Sequence, residues 1–180
     1  MTMPAPVGPI SMPEYLMARA LISSSTFRSL YGVASPAQTP EQTSAIKFEV
    51  IDRPDPDLDY FEIDNLQDAR PFVCIWPFEL DCIRIASQSI LFRGNLQLLF
   101  ERNYPTSAEL TTLGVSTESE VLRYWKNTVG LIIQESFAGS HDRIFNVRRM
   151  GQLNWWTRSP IEPEDQHLGF SMVVEWGPDE

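Results

Sequence analysis

Ser140, His141 and Asp142 contain the three residue types of a hydrolase triad. Adjacent residues cannot converge as nucleophile, base and orienter around one reacting atom, so a polar turn after a helix is the expected reading. No G-x-S-x-G elbow occurs elsewhere in the chain. The other histidine, His167, stands near Glu164 and Asp165 in a Pro- and Glu-rich connection, with too few ligands for a metal centre. It reads as an exposed loop residue. Asp55, Asp57 and Asp59 alternate like the first ligands of a calcium loop. Position six of that loop needs Gly and holds Tyr60, and position twelve needs Glu and holds Leu66, so a solvated acidic surface is expected instead. Trp155 and Trp156 beside Arg148, Arg149 and Arg158 offer aromatic and basic groups together. Adjacent strand residues face opposite sides, and Trp and Arg are favoured in interface hot spots, so a protein contact is expected ahead of nucleic acid. No catalytic residue, cofactor site or metal site is expected.

Charge supports the same reading. The 180 residues hold 14 Lys and Arg against 24 Asp and Glu, a net charge of −10, which opposes general affinity for a phosphate backbone. The charge is unevenly placed. Asp52, Asp55, Asp57, Asp59, Glu62, Asp64 and Asp68 crowd one segment with only Arg53, whereas Arg143, Arg148, Arg149 and Arg158 occupy a stretch without acids. Opposite patches of this kind are suited to meet across a subunit contact. The candidate interface residues are therefore Arg148, Arg149, Trp155, Trp156, Asp55, Asp57 and Asp59.

The elements that must position these residues follow from periodicity. Residues 1–10 are Pro-rich and read as a flexible arm, leaving 11–180 as a single domain. Ser11 with Glu14 forms a capping box, with Pro13 in the first turn; the helix should run to Tyr31 and stop at Gly32, weakened midway by Ser23, Ser24 and Ser25. Its apolar face is read from Leu16, Ala20, Phe27, Leu30 and Tyr31. Ile46, Phe48 and Val50 alternate as a strand, and 52–68 reads as an exposed excursion.

From Pro71 the pattern is β: FVCIW, then Cys82 to Ile85, then Ile90 to Arg102 with Ile90, Phe92, Gly94, Leu96, Leu98 and Phe100 on the core face. Cys74 and Cys82 are expected reduced, although a turn between paired strands would bring them together. Thr117 and Glu120 cap a second helix ending near Gly139, with Val121, Leu122, Trp125, Val129, Ile132, Ile133 and Phe137 as its stripe. Strands at 144–157 and 168–176 close the chain. The sum is an α+β fold: a mostly antiparallel sheet with two main helices packed on one face.

Taken with its landmarks "SMPEYLMARAL", "ARPFVCIW", "SILFRGNLQLLFE", "TESEVLRYWKNTVGLIIQESF" and "FSMVVEWG", this order resembles the tail terminator and tail-completion (neck) proteins of long-tailed bacteriophages, over residues 12–176. The resemblance implies a virion structural protein, made in the host cytoplasm. It would form a ring, commonly a hexamer, that caps the tail tube, meets the tail tube protein and the head connector, and lets DNA pass without specific binding. A head-completion or connector adaptor is the alternative. No membrane role is expected, since no apolar run approaches a membrane span.

Overall fold

A computed structural model describes residues 12–48, 70–85, 89–137, 147–157 and 166–177. The elements are α1 (Met12–Ser23), α2 (Ser25–Tyr31), a 3-10 turn (Pro40–Gln42), β1 (Ile46–Phe48), β2 (Phe72–Ile85), β3 (Ser89–Asn103), α3 (Ser107–Leu113), α4 (Glu118–Phe137), β4 (Val147–Trp156) and β5 (His167–Trp176). The fold is α+β. Five strands form one sheet in the order β1-β2-β3-β5-β4. All neighbours pair antiparallel except β1, which runs parallel to β2, so the first strand is not part of a meander.

The expected single N-terminal helix is two helices, because Ser24 leaves the helical region with ψ 128° and caps the second segment, its Oγ accepting from the Phe27 N–H at 2.9 Å. Both sides of the break are satisfied. Arg28 Nη1 donates back to the Ile22 and Ser23 carbonyls at 2.9 and 2.7 Å, covering the orphan acceptors that end α1. The predicted stop holds: Gly32 takes φ 68°, the left-handed conformation that glycine adopts without penalty. In α1 the buried face is Met17, Ala18, Leu21 and Ile22, together with Ala20, while Leu16 is only half-buried. The Ser11 end of the predicted capping box lies outside the described residues, as do the arm 1–10 and the segment 52–68.

The sheet reads much as its pattern implies. Along β3, Leu96, Leu98 and Phe100 are buried and Arg93, Asn95, Gln97 and Leu99 are half-buried, an alternation of period two. The ladder sets Phe100 opposite Val73 and Phe170, Leu98 opposite Ile75 and Met172, and Leu96 opposite Val174. These side chains share one core with Met17, Leu21, Ile22 and Phe27 from α1 and α2 and with Val121, Trp125, Val129 and Ile132 from α4. Leu122, Ile133 and Phe137 pack at its margin.

One strand reading changes, and one helix is added. Residues 72–85 form one continuous strand where two segments were expected, with an irregularity between Pro77 and Glu79. Cys74 and Cys82 therefore lie eight positions apart on the same strand, about 26 Å at an extended rise per residue. A disulfide needs Cα atoms within about 7 Å, so this pair does not bridge. The short helix α3 was not anticipated. Its signal is present as Thr106 and Glu109, a capping box whose Glu109 Oε2 accepts from the Thr106 N–H at 2.7 Å, followed by Gly114 at φ 67°.

Candidate functional site

A groove of about 920 Å³ opens where the Asn103 end of β3 meets α2, α3 and α4. Its walls carry hydroxyls (Ser25, Thr26, Ser29, Tyr104, Thr106, Tyr124 and Thr128) with Arg102 and Glu109 between them. Arg102 Nη2 stands 3.2 Å from Glu109 Oε1, joining β3 to α3. Hydrogen bonds from the Thr106 backbone and hydroxyl, then the Arg102 charge, hold the Glu109 carboxyl below its ordinary value. Partial burial, and then the nearby Glu118, raise the Tyr104 phenol above its own. The lining is rich in hydrogen-bonding groups. It exposes hydroxyl donors and acceptors, and His167, the one described histidine, is not among its walls.

One wall is organised by Glu135 on α4. Its Oε2 accepts from Ser24 Oγ (2.8 Å), Ser25 Oγ (3.1 Å) and the Thr26 N–H (2.9 Å), and its Oε1 accepts from Thr26 Oγ1 (2.8 Å). A carboxylate at a helix start satisfies orphan N–H groups and complements the helix dipole. The Thr26 backbone, followed by the Ser24 and Thr26 hydroxyls, lowers Glu135 from 4.5 to about 2. Glu135→Ala is expected to cost about 1–2 kcal/mol, the usual value of a lost cap, measured by urea unfolding at pH 7. Since the folded carboxyl titrates below the unfolded one, the contribution is full above about pH 4.5 and fades as pH falls toward about 2. The gap between wild type and variant should narrow over that window. An equal gap at pH 7 and pH 2.5 would show that the carboxylate charge is not what α2 uses.

Glu120 does the same at the start of α4. It accepts from the Ser116 N–H at 2.8 Å and the Thr117 N–H at 3.0 Å, which lowers it to about 2 and completes the predicted box with Thr117. Thr157, just past β4, donates to Glu118 and ties that strand end to the same helix start.

A second polar cluster lies within the sheet. Glu101 Oε2 sits 3.1 Å from Arg70 Nε and 3.1 Å from His167 Nε2, and all three residues are buried, at 4, 8 and 3% exposure respectively. This overturns the reading of His167 as an exposed loop residue. It is the first residue of β5, set opposite Asn103, and so shares a sheet face with Glu101. The signal missed was Leu168 to Trp176: extending the strand by one position buries the imidazole. Burial, and then the Glu101 charge, hold the Tyr31 phenol well above its usual range.

Of the predicted interface residues, Arg148, Arg149, Trp155 and Trp156 lie on β4. Trp155 is half-buried and stacks on Phe170, with ring centres 3.9 Å apart at 24°, and Lys126 Nζ lies 5.6 Å from its ring. It belongs to the margin of the core. Trp156 pairs with Gly169 and Arg149 with Glu175 along the edge strand, and Arg148 falls at the irregularity between Val147 and Arg149. Asp55, Asp57 and Asp59 lie outside the described residues, as does the Ser140–His141–Asp142 turn. Among the described residues no group of three or more His, Cys, Asp or Glu is placed to hold a metal ion, and no helix is long and apolar enough to cross a membrane.

The class these features define is an α+β domain with a hydroxyl-lined groove. The chain matches no protein-family model, and no curated protein is detectably similar to it.

Proposed function

We infer that the chain is a virion structural protein of a long-tailed bacteriophage, a tail terminator that forms a ring, a hexamer, on the last ring of the tail tube and joins it to the head connector. What supports the reading is the order of elements: a helical N-terminus, a long β2–β3 hairpin, one long amphipathic helix and a closing antiparallel strand pair. That is the order for which the sequence resembles the terminator and neck proteins. Its partners would be its own copies, the tail tube protein and the connector protein. A net charge of −10 suits a passage for DNA without specific binding, since like charge keeps a duplex from adhering.

The test uses the full chain mixed with tail tubes polymerised from the tube protein encoded in the same genome. Electron microscopy should show a ring at one tube end, and tube growth at that end should stop. Tubes that bind no ring and elongate unhindered would remove the reading. A ring found on the head portal instead would favour the connector adaptor.

A further inference from the structure

Side chains rather than strand backbone line the groove at the Asn103 end of β3. The strand is flanked on both sides there, with Glu101 set opposite Phe72 on β2 and opposite Gly169 on β5, so an extended peptide finds no unpaired edge to add to. Any ligand of this groove is read by its side chains.

Several of the hydroxyl protons in the lining are already committed. Ser25 Oγ and Thr26 Oγ1 donate to Glu135, Thr106 Oγ1 donates to Glu109 Oε2 at 3.0 Å, and Thr128 Oγ1 donates to the Tyr124 carbonyl at 2.9 Å. These four oxygens are oriented in advance and keep only acceptor capacity. Donors stand between them. Arg102 spends Nε on the Asn103 carbonyl and Nη2 on Glu109, which leaves Nη1. The hydroxyls of Ser29, Tyr104 and Tyr124 and the Asn103 amide also have no hydrogen-bond partner among the described residues.

The charge of the lining is balanced. Among its described residues Arg102 is the one cation and Glu109 the one anion, and the two are joined at 3.2 Å. A phosphate-rich ligand needs cations that are not already neutralised. An apolar ligand would leave the hydroxyls dry and unpartnered, which is costly. The lining also holds two half-buried phenol rings, Tyr104 and Tyr124. A sugar ring meets each of these conditions, with hydroxyls that donate and accept, no charge, and C–H faces that pack on aromatic rings. The volume of about 920 Å³ lies near the upper end of the range for ligand sites, about 300–1,000 Å³, which suits several rings better than one.

We propose that this groove binds a neutral oligosaccharide, with Tyr104 and Tyr124 against the apolar faces of its rings and Arg102, Asn103 and Ser29 donating to its oxygens. The site is independent of the ring reading above, and tube capping neither supports nor removes it.

Isothermal titration of the full chain with maltohexaose, cellohexaose and the hexamer of N-acetylglucosamine tests it, with inorganic phosphate and a neutral Gly-Ser peptide as the competing chemistries. At least one of the three sugars should bind saturably, and phosphate and peptide should not. Tyr124→Ala should weaken that binding by about tenfold or more, since it removes a ring face. Tyr124→Phe and Asn103→Ala should each weaken it by about fivefold, the usual worth of one hydrogen bond. Leu131→Ala, at an exposed residue of α4 outside the groove, should leave it unchanged. Thermal unfolding confirms that each variant is folded, and Asn103 is exposed, so its variant keeps the test open if the Tyr124 variants are unstable. Failure of all three sugars to bind would overturn the proposal, as would binding that the groove variants leave intact. So would a groove that takes phosphate or the peptide more tightly than any sugar.

Discussion

Replacing Glu101 by Gln is expected to destabilise the fold by about 3–5 kcal/mol, the usual cost of removing one member of a buried ion pair. The substitution keeps size and shape and removes only charge. Glu101 Oε2 is shared by Arg70 Nε and His167 Nε2, each at 3.1 Å, in a site where all three residues are at most 8% exposed. Water cannot supply the missing charge there. The Arg70 guanidinium keeps its desolvation cost when this carboxylate is neutralised. For a domain of this size the loss corresponds to a fall in Tm of about 6 °C or more, readable by calorimetry. Replacing the whole cluster by apolar residues of similar volume should cost much less, because buried pairs often break even against well-packed hydrophobic groups. A Gln variant within about 1 kcal/mol of wild type would mean that the cluster is hydrated in solution.

Trp125→Ala is expected to cost about 3–5 kcal/mol as well, by a different mechanism. Trp125 is fully buried on α4 and belongs to the core that joins α4 to α1, α2 and the sheet. Truncation removes transfer energy and leaves a void that close-packed neighbours fill only in part. Its indole Nε1 is buried without a hydrogen-bond partner among the described residues. Trp125→Phe should therefore cost less than half as much, since it keeps most of the apolar volume and removes an unsatisfied donor. Chemical denaturation separates the two variants. Equal losses for Ala and Phe would show that the indole N–H is bonded in solution. The groove shares Thr128 and Tyr124 with this helix, so its shape should loosen in the Ala variant before the fold is lost.

Much of the architecture was legible because it rests on local rules. The Thr117–Glu120 cap, the stop at Gly32 and the alternation through Leu96, Leu98 and Phe100 each depend on residues only a few positions apart. The break at Ser24 was half visible. Three serines weaken a helix, but whether it breaks depends on Glu135, which is more than a hundred residues away and supplies the acceptors that stabilise the second start. The face of α1 was less legible, because Leu16 and Met17 are comparably apolar and only the position of the sheet decides which one is buried.

The candidate site was largely invisible. Reading residue types nominated Arg148, Arg149, Trp155 and Trp156, and tertiary packing drew Trp155 onto Phe170 while leaving the backbone of the others along one edge strand. The groove is lined from Ser25 to Thr128, with no motif linking its walls, since Ser and Thr carry no signature until helices bring them together.

The sequence by itself determined the fold class, the start of α4, the stop at Gly32, the polarity of β3 and the concentration of charge, because side-chain period, capping and composition act over a few residues. Only the tertiary structure decided that Arg70, Glu101 and His167 share a buried site, that Cys74 and Cys82 lie on one strand, and that Arg149 and Glu79 stand level at opposite edges of the sheet. The buried site and the level edge residues depend on strand register between residues distant in the chain, and register is set by the summed packing of whole strands, which no local stretch encodes.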